Sequence, residues 1–324
     1  MDTLLQRLWR LRRRWRHAAN VQQPLLDAQD MQHLQQFARS RFSTPLTAQR
    51  DVQHPLLGER LSTFSGSGYE FAENRLFQAG DDARFINWRV YARSGELYRK
   101  VFHEERRPQL WLLVDRRESM CFGTRRRLKV TAAVRQALVY LYQAQLQQLA
   151  VGAVVLEETP QWYEAKTSAA AQHELIQSLL RPCPPRPPCA GAVTLERVVR
   201  QLYSRLLPGS IVVLLSDFYD LQQSHLASFH ALAQQHTVRA VQVLDDIEVR
   251  LPRRGSYRVA DGDGRHSLQL NCNDADARQA IEQQLQLRHE QIAQWLHSAG
   301  VDYQRLLSSD EPFVLERSEE PALA

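Results

Sequence analysis

Hydrophobic and polar positions change rhythm at Pro108. From there to Leu307, short apolar runs alternate with longer amphipathic stretches. Leu110 to Val114, Val151 to Leu156, Ile211 to Leu215, Val238 to Leu244 and Val301 to Leu307 have the length and composition of strands. Gln161 to Glu164 reads as a shorter edge strand. Leu128 to Leu149, Ala169 to Leu180, Leu195 to Leu206, Leu221 to Gln235 and Asp274 to Ser298 read as helices. The last of them ends at Gly300, a fitting residue for the position after a C-cap. Apolar strands alternating with helices predict an α/β fold: a mostly parallel sheet flanked by helices, with right-handed crossovers. A ligand of such a sheet sits at the carboxyl ends of its strands. Val249 to Leu270 breaks the alternation, and "YRVADGDGRHSLQL" reads as a β-hairpin insertion turning at Asp261 to Gly264.

Upstream of Pro108 the pattern is less regular. Leu4, Leu8, Leu11 and Trp15 recur at helical spacing among Arg7, Arg10, Arg12, Arg13, Arg14 and Arg16. That predicts a basic amphipathic helix over residues 1–20. A second helix follows Pro24, striped by Leu26, Met31, Leu34 and Phe37. Proline and glycine break residues 43–66, and residues 66–105 read as short extended pieces ending in a strand near Leu97 to Phe102. The organisation expected is a helix at 1–20, an N-terminal helical and extended region at 21–107, an α/β domain at 108–310 carrying the hairpin at 249–270, and a tail at 311–324.

Composition changes this picture little. The chain has 324 residues, 44% hydrophobic and 24% charged, the range of ordinary soluble proteins. Its apolar runs are strand-sized, too short to span a bilayer, and the N-terminus lacks the apolar core of a secretory signal. A cytoplasmic location is expected, with the inner membrane face as a peripheral site. The net charge of +5 is concentrated in the six arginines between Arg7 and Arg16. No nucleic-acid partner is therefore expected, whereas an anionic membrane surface would suit residues 1–17. Cys121, Cys183, Cys189 and Cys272 show no zinc-ligand spacing, and Cys183 and Cys189 read as unpaired thiols flanking a proline run.

Chemistry enters at two strand ends. In "LWLLVDRRESMCFG" the apolar run stops at Asp115, and in "LLSDFYD" Ser216 and Asp217 follow Leu215. Carboxylates on adjacent strand ends suit a divalent cation, with the hydroxyls of Ser119 and Thr194 as further donors. There is no phosphate-binding loop, dinucleotide glycine fingerprint or nucleophile elbow in the sequence.

The order of elements resembles the von Willebrand factor A fold with its metal-ion-dependent adhesion site. "GSGYEF", "GDDARFINW", "ARSGELYRKVFHEE", "VLDDIEVRLP" and "AGVDYQRL" resemble, over roughly residues 24 to 315, the bacterial family catalogued as domain of unknown function 58. The adhesion-site pattern is Asp-x-Ser-x-Ser. Asp115 and Ser119 match it, but Arg117 replaces the first serine, and the site's threonine falls on Thr194 or, one register earlier, Val193. Asn87 stands where the family commonly has aspartate. The resemblance thus implies a degenerate metal site of Asp115, Ser119, Thr194 and Asp217. Arg117 is expected to replace the cation by bridging Asp115 and Asp217. No cofactor is expected, and magnesium is the cation such a site would take if it were filled. The signature residues Gly80, Asp81, Asp82, Arg84, Trp88 and Arg93 read either as a turn whose carboxylates pair with Arg84 or Arg93, or as a partner-binding surface.

The family resemblance implies a non-enzymatic adaptor working with a MoxR-type AAA+ ATPase in chaperone-like remodelling or cofactor insertion. Two alternatives stand beside it: a metal-dependent hydrolase using Asp115 and Asp217, and a peripheral membrane protein.

Overall fold

The computed structural model describes residues 11–12, 24–41, 69–78, 81–104, 108–125, 127–184, 193–261 and 267–313. The chain divides into two compact units, one formed by Met1–Val52 with Pro108–Ala324 and the other by Gln53–Arg107.

The larger unit is the α/β body. Its strands are β4 (Leu110–Asp115), β5 (Val151–Leu156), β6 (Pro160–Lys166), β7 (Ile211–Ser216), β8 (Thr237–Leu244) and β11 (Asp302–Leu307). They form one six-stranded sheet in the order β6-β5-β4-β7-β8-β11. All neighbours run parallel except β6, which is antiparallel on β5. Every residue of β4, β5 and β7 is buried, which is why these strands read as unbroken apolar runs. Successive side chains feed opposite cores: Leu110, Leu112 and Val114 enter one layer, and Trp111 and Leu113 the other. Chain order reverses between β4 and β7, so their carboxyl ends flank the crevice of this doubly wound sheet.

One face is covered by α1 (Ala28–Ser40), α3 (Lys129–Leu146) and α4 (Ala169–Leu180), the other by α5 (Leu195–Tyr203), α6 (Leu226–Gln235) and α8 (Ala275–Ser298). Helix α3 is buried over almost its whole surface, as a helix sandwiched between a sheet and another helix must be. Its buried residues include Lys129, Arg135, Gln136 and Gln143, so this layer carries polar groups as well as apolar ones. Gly300 takes a left-handed φ of 77° after α8, the conformation expected of it. A hairpin of β9 (Ser256–Asp261) and β10 (Ser267–Asn271) lies where the insertion was expected, with Ala260 opposite Ser267.

Several expectations need correction. Leu11 and Arg12 form a two-residue strand, β1, antiparallel on β9, rather than part of a helix; the rest of 1–20 lies outside the described residues. The backbone pairing offered by β9 has displaced local helical periodicity there. Helix α1 belongs to the α/β unit, not with the region up to 107. Leu34 and Ala38 sink into the core beside α3, Leu25 N–H bonds the Leu180 carbonyl at 3.0 Å, and Asp30 pairs with Arg135 at 3.1 Å. The tail expected from 311 begins later, because Phe313 and Gln136 exchange two hydrogen bonds, at 2.6 and 3.0 Å. A one-turn helix, α7 (Asp246–Val249), lies between β8 and the hairpin, where no helix was expected, held by the Asp245–Glu248 capping box.

The smaller unit pairs β2 (Tyr69–Leu76) antiparallel with β3 (Tyr98–Glu104). Between them lies a helix, α2 (Trp88–Ser94), where extended chain was expected. Asn87 caps its first turn and Gly95, at φ 71°, ends it, so the two caps define a helix that aromatic and glycine spacing conceals.

Candidate functional site

The carboxyl ends of β4, β7 and β8 deliver Asp115, Ser216, Asp217 and Asp245, all buried. Asp115 accepts hydrogen bonds from the Ser216 hydroxyl at 2.6 Å and from the Arg117 backbone N–H at 3.0 Å. The Arg117 guanidinium then grips both oxygens of Asp115, Nε at 3.0 Å and Nη2 at 2.7 Å. Its far edge grips Asp220, Nη1 at 2.7 Å and Nη2 at 3.0 Å. Arg117 therefore does stand as a cation between two carboxylates, but the second is Asp220 and not Asp217. Asp220 also accepts the Leu195 N–H at 2.9 Å, which ties the start of α5 to the same cluster. Burial opposes the charge on Arg117, yet Asp115 and Asp220 together hold it far above its ordinary pKa.

Asp217 has a cation of its own. Lys129, at the start of α3, donates to Asp217 at 3.0 Å and to Glu248 at 3.0 Å. Burial disfavours the ammonium, but the two carboxylates outweigh it and raise its pKa. Burial likewise works against the Asp217 carboxylate, and Lys129, then Arg117 and the Ser119 hydroxyl, reverse this and lower its pKa. Burial wins at Glu248, whose pKa is raised. The turn after β7 is tight: Phe218 is buried with a left-handed φ of 53°, a strained conformation for a bulky residue. It lets the Tyr219 N–H reach Asp217 Oδ1 at 3.1 Å.

Of the expected adhesion-site residues, Asp115, Ser119 and Asp217 come together. Thr194 is the N-cap of α5, its hydroxyl oxygen accepting the Arg197 N–H at 3.3 Å. The neighbouring Val193 faces Arg117 instead, by its carbonyl at 3.5 Å. Asp220, Lys129 and Glu248 were missed by sequence reasoning. Asp220 lies in "LLSDFYD", and a lysine opening a largely apolar helix is the signal for Lys129.

Arg116 turns the other way. It is buried, pairs with Glu157 at 3.1 Å, and donates to the carbonyls of Ser178 at 3.3 Å, Arg181 at 2.8 Å and Pro182 at 3.3 Å. It caps the C-terminus of α4, where a cation complements the helix dipole. Beside the cluster, Asp245 accepts from Thr124 N–H at 2.8 Å, from the Thr124 hydroxyl, and from the Ser308 hydroxyl at 3.1 Å.

Magnesium does not fit this cluster. A cation needs carboxylate lone pairs facing an open centre, and here those of Asp115, Asp217 and Asp220 point at Arg117 and Lys129. Among the described residues no group of three or more His, Cys, Asp or Glu is placed to hold a metal.

In the smaller unit, Asp81 pairs with Arg75 and Arg99, each at 2.7 Å, not with Arg84 or Arg93. The Gln78 N–H, helped by these arginines, lowers its pKa. Asp82 does pair with Arg84, at 2.6 Å, whose hydrogen bonds bring its pKa down to about 2. Arg93 is exposed, as is Trp88, which stacks edge-on with Tyr91 at 6.1 Å. Gly80 lies outside the described residues.

The sheet order and the strand-end cluster define a doubly wound, Rossmann-like α/β protein with the architecture expected of a von Willebrand factor A-like domain, its edge carboxylates neutralised by its own cations. The family model described as "Protein of unknown function DUF58" matches residues 73–291, and the chain belongs to that family. It is 28% identical over 225 residues to the uncharacterized proteins Rv1480 of Mycobacterium tuberculosis and Mb1516 of Mycobacterium bovis, covering 67% of this chain and 68% of each relative. Among solved structures it is similar to BatB from Bacteroides thetaiotaomicron, with a TM-score of 0.39 and 13% identity over 63% of this chain and 92% of that one. An aerotolerance-related membrane protein from Bacteroides fragilis gives a TM-score of 0.37 and 11% identity over 62% and 92%. No helix among the described residues is long and apolar enough to cross a membrane.

Proposed function

We propose that this protein is a non-enzymatic adaptor that works with a MoxR-type AAA+ ATPase in chaperone-like remodelling or cofactor insertion. The observation that carries the reading is the double neutralisation of the sheet edge. In an adhesion site a bound cation neutralises the carboxylates; here Arg117 and Lys129 supply the charge permanently. The edge is thus a fixed, largely buried ion-pair frame for the loops around it, and its paired carboxylates offer neither the open coordination position nor the free base that hydrolysis would need. The carboxylates a hydrolase would use, Asp115 and Asp217, are committed to Arg117 and Lys129. Family membership supports the choice of partner, and nucleotide chemistry belongs to that partner. Peripheral attachment through residues 1–17 would be a separate property, which flotation with anionic liposomes would test.

The test is co-purification of the chain with a MoxR-type AAA+ ATPase of the same genome, with the ATPase rate measured in its presence. Binding that is weakened by substitution of exposed residues around the β4 and β7 ends supports the reading. Turnover of ester or phosphate substrates by the chain alone, abolished in Asp217→Ala, would replace it with the hydrolase.

A further inference from the structure

We propose that Cys121 and Cys183 form a thiol–disulfide exchange site that reacts with small disulfides and, once oxidised, ties the loop carrying Arg117 to the segment after α4. The two sulfurs lie 2.7 Å apart although 62 positions separate them in the chain. Cys183 is buried and Cys121, at the end of the short turn Glu118–Met120, is half-buried, so Cys121 is the more accessible of the two residues and the one a small reagent would meet first. The pair sits under the strand-end loop: Cys121 Sγ is 3.7 Å from the Arg117 carbonyl and Cys183 Sγ is 4.0 Å from the Arg116 carbonyl. The Arg116 guanidinium already grips the Arg181 and Pro182 carbonyls, so the two segments are held together independently of the sulfurs. A covalent bond here needs little movement of either chain segment, the condition that most cysteine pairs fail.

The reaction is ordinary exchange. Cys121 loses its proton, and its sulfur attacks one sulfur of the small disulfide, forming a mixed disulfide and expelling one small thiolate. Cys183 then loses its proton and attacks the Cys121 sulfur; the mixed bond breaks and the second small thiolate leaves. The two thiolates take up the two protons. The protein dithiol is oxidised by two electrons and the small disulfide is reduced to two thiols.

The full chain, reduced and then incubated with oxidised glutathione, tests this by non-reducing peptide mapping and thermal melting. The expected result is a peptide containing Cys121 linked to one containing Cys183, in the wild type and in Cys189→Ser alike, and reversed by dithiothreitol. Closing a loop of this size should raise the melting temperature by roughly 5–10 °C over the reduced form. Cys121→Ser should lose both the link and the shift. Glutathione adducts without a link, a Cys183–Cys189 link in place of the expected one, or an unshifted melting temperature on full oxidation would overturn the proposal.

Discussion

Arg117 presents two nitrogens to the two oxygens of Asp220, at 2.7 and 3.0 Å, while holding Asp115 with its other edge. Removing the guanidinium would leave two carboxylates facing each other with no cation. Arg117→Ala is expected to lose about 3–5 kcal/mol of stability, the usual cost of breaking a buried pair from one side. Urea unfolding measures it. Arg117→Ser should in addition gain a melting-temperature rise in millimolar magnesium that the wild type lacks. A variant as stable as the parent would show that the cluster is not held by this arginine.

The acid limb of stability should be set by opposing groups. His289 is buried, its Nε2–H donating to the Glu248 carbonyl at 3.1 Å while Nδ1 faces the Gln242 amide at 3.5 Å. Burial, with Arg305, Lys129 and Arg288 nearby, lowers its pKa from 6.5 to about 4. A lowered histidine gives stability that is present above 6.5 and is lost as pH falls towards 4, of the order of 2–3 kcal/mol. Glu248 has the opposite sign. Its pKa is raised above 4.5 by burial, so it favours the folded state at low pH and that contribution fades as pH rises through its folded value. Between pH 6.5 and 4.5, His289→Gln should therefore flatten the acid loss and Glu248→Gln should steepen it, as read from unfolding free energies across that range.

Asp245 joins three chain segments through Thr124, Ser308 and the start of α7. Asp245→Asn keeps the shape but replaces charge-assisted acceptors with an amide that cannot satisfy every donor. A loss of about 2–3 kcal/mol is expected in thermal unfolding, with faster hydrogen exchange at Thr124 N–H. Asp246→Asn, next to it but bonded through its side chain to Ser309, should stay within about 0.5 kcal/mol of the parent.

The alternation of apolar strands and helices after Pro108 was readable in one dimension because burial on both faces of a parallel sheet writes itself into each strand separately. The same holds for Asp115 and Asp217: a carboxylate that ends an apolar strand in such a sheet arrives at the crevice whatever the side chains around it do. Short-range pattern was weaker where caps or pairing decide. Asn87 and Gly95 make a helix of a stretch that reads as extended, and β9 makes a strand of Leu11 and Arg12. The partners across the cluster were beyond local pattern altogether. Arg117 could be seen to replace a serine, but Asp220 meets it only after the chain has crossed the sheet, and Lys129 reaches Asp217 only because α3 packs its first turn against the end of β7. Cys121 and Cys183, like Arg116 and the end of α4, meet for the same reason: contacts over such separations follow from how packed layers bring loops together, and no periodicity along the chain encodes that distance.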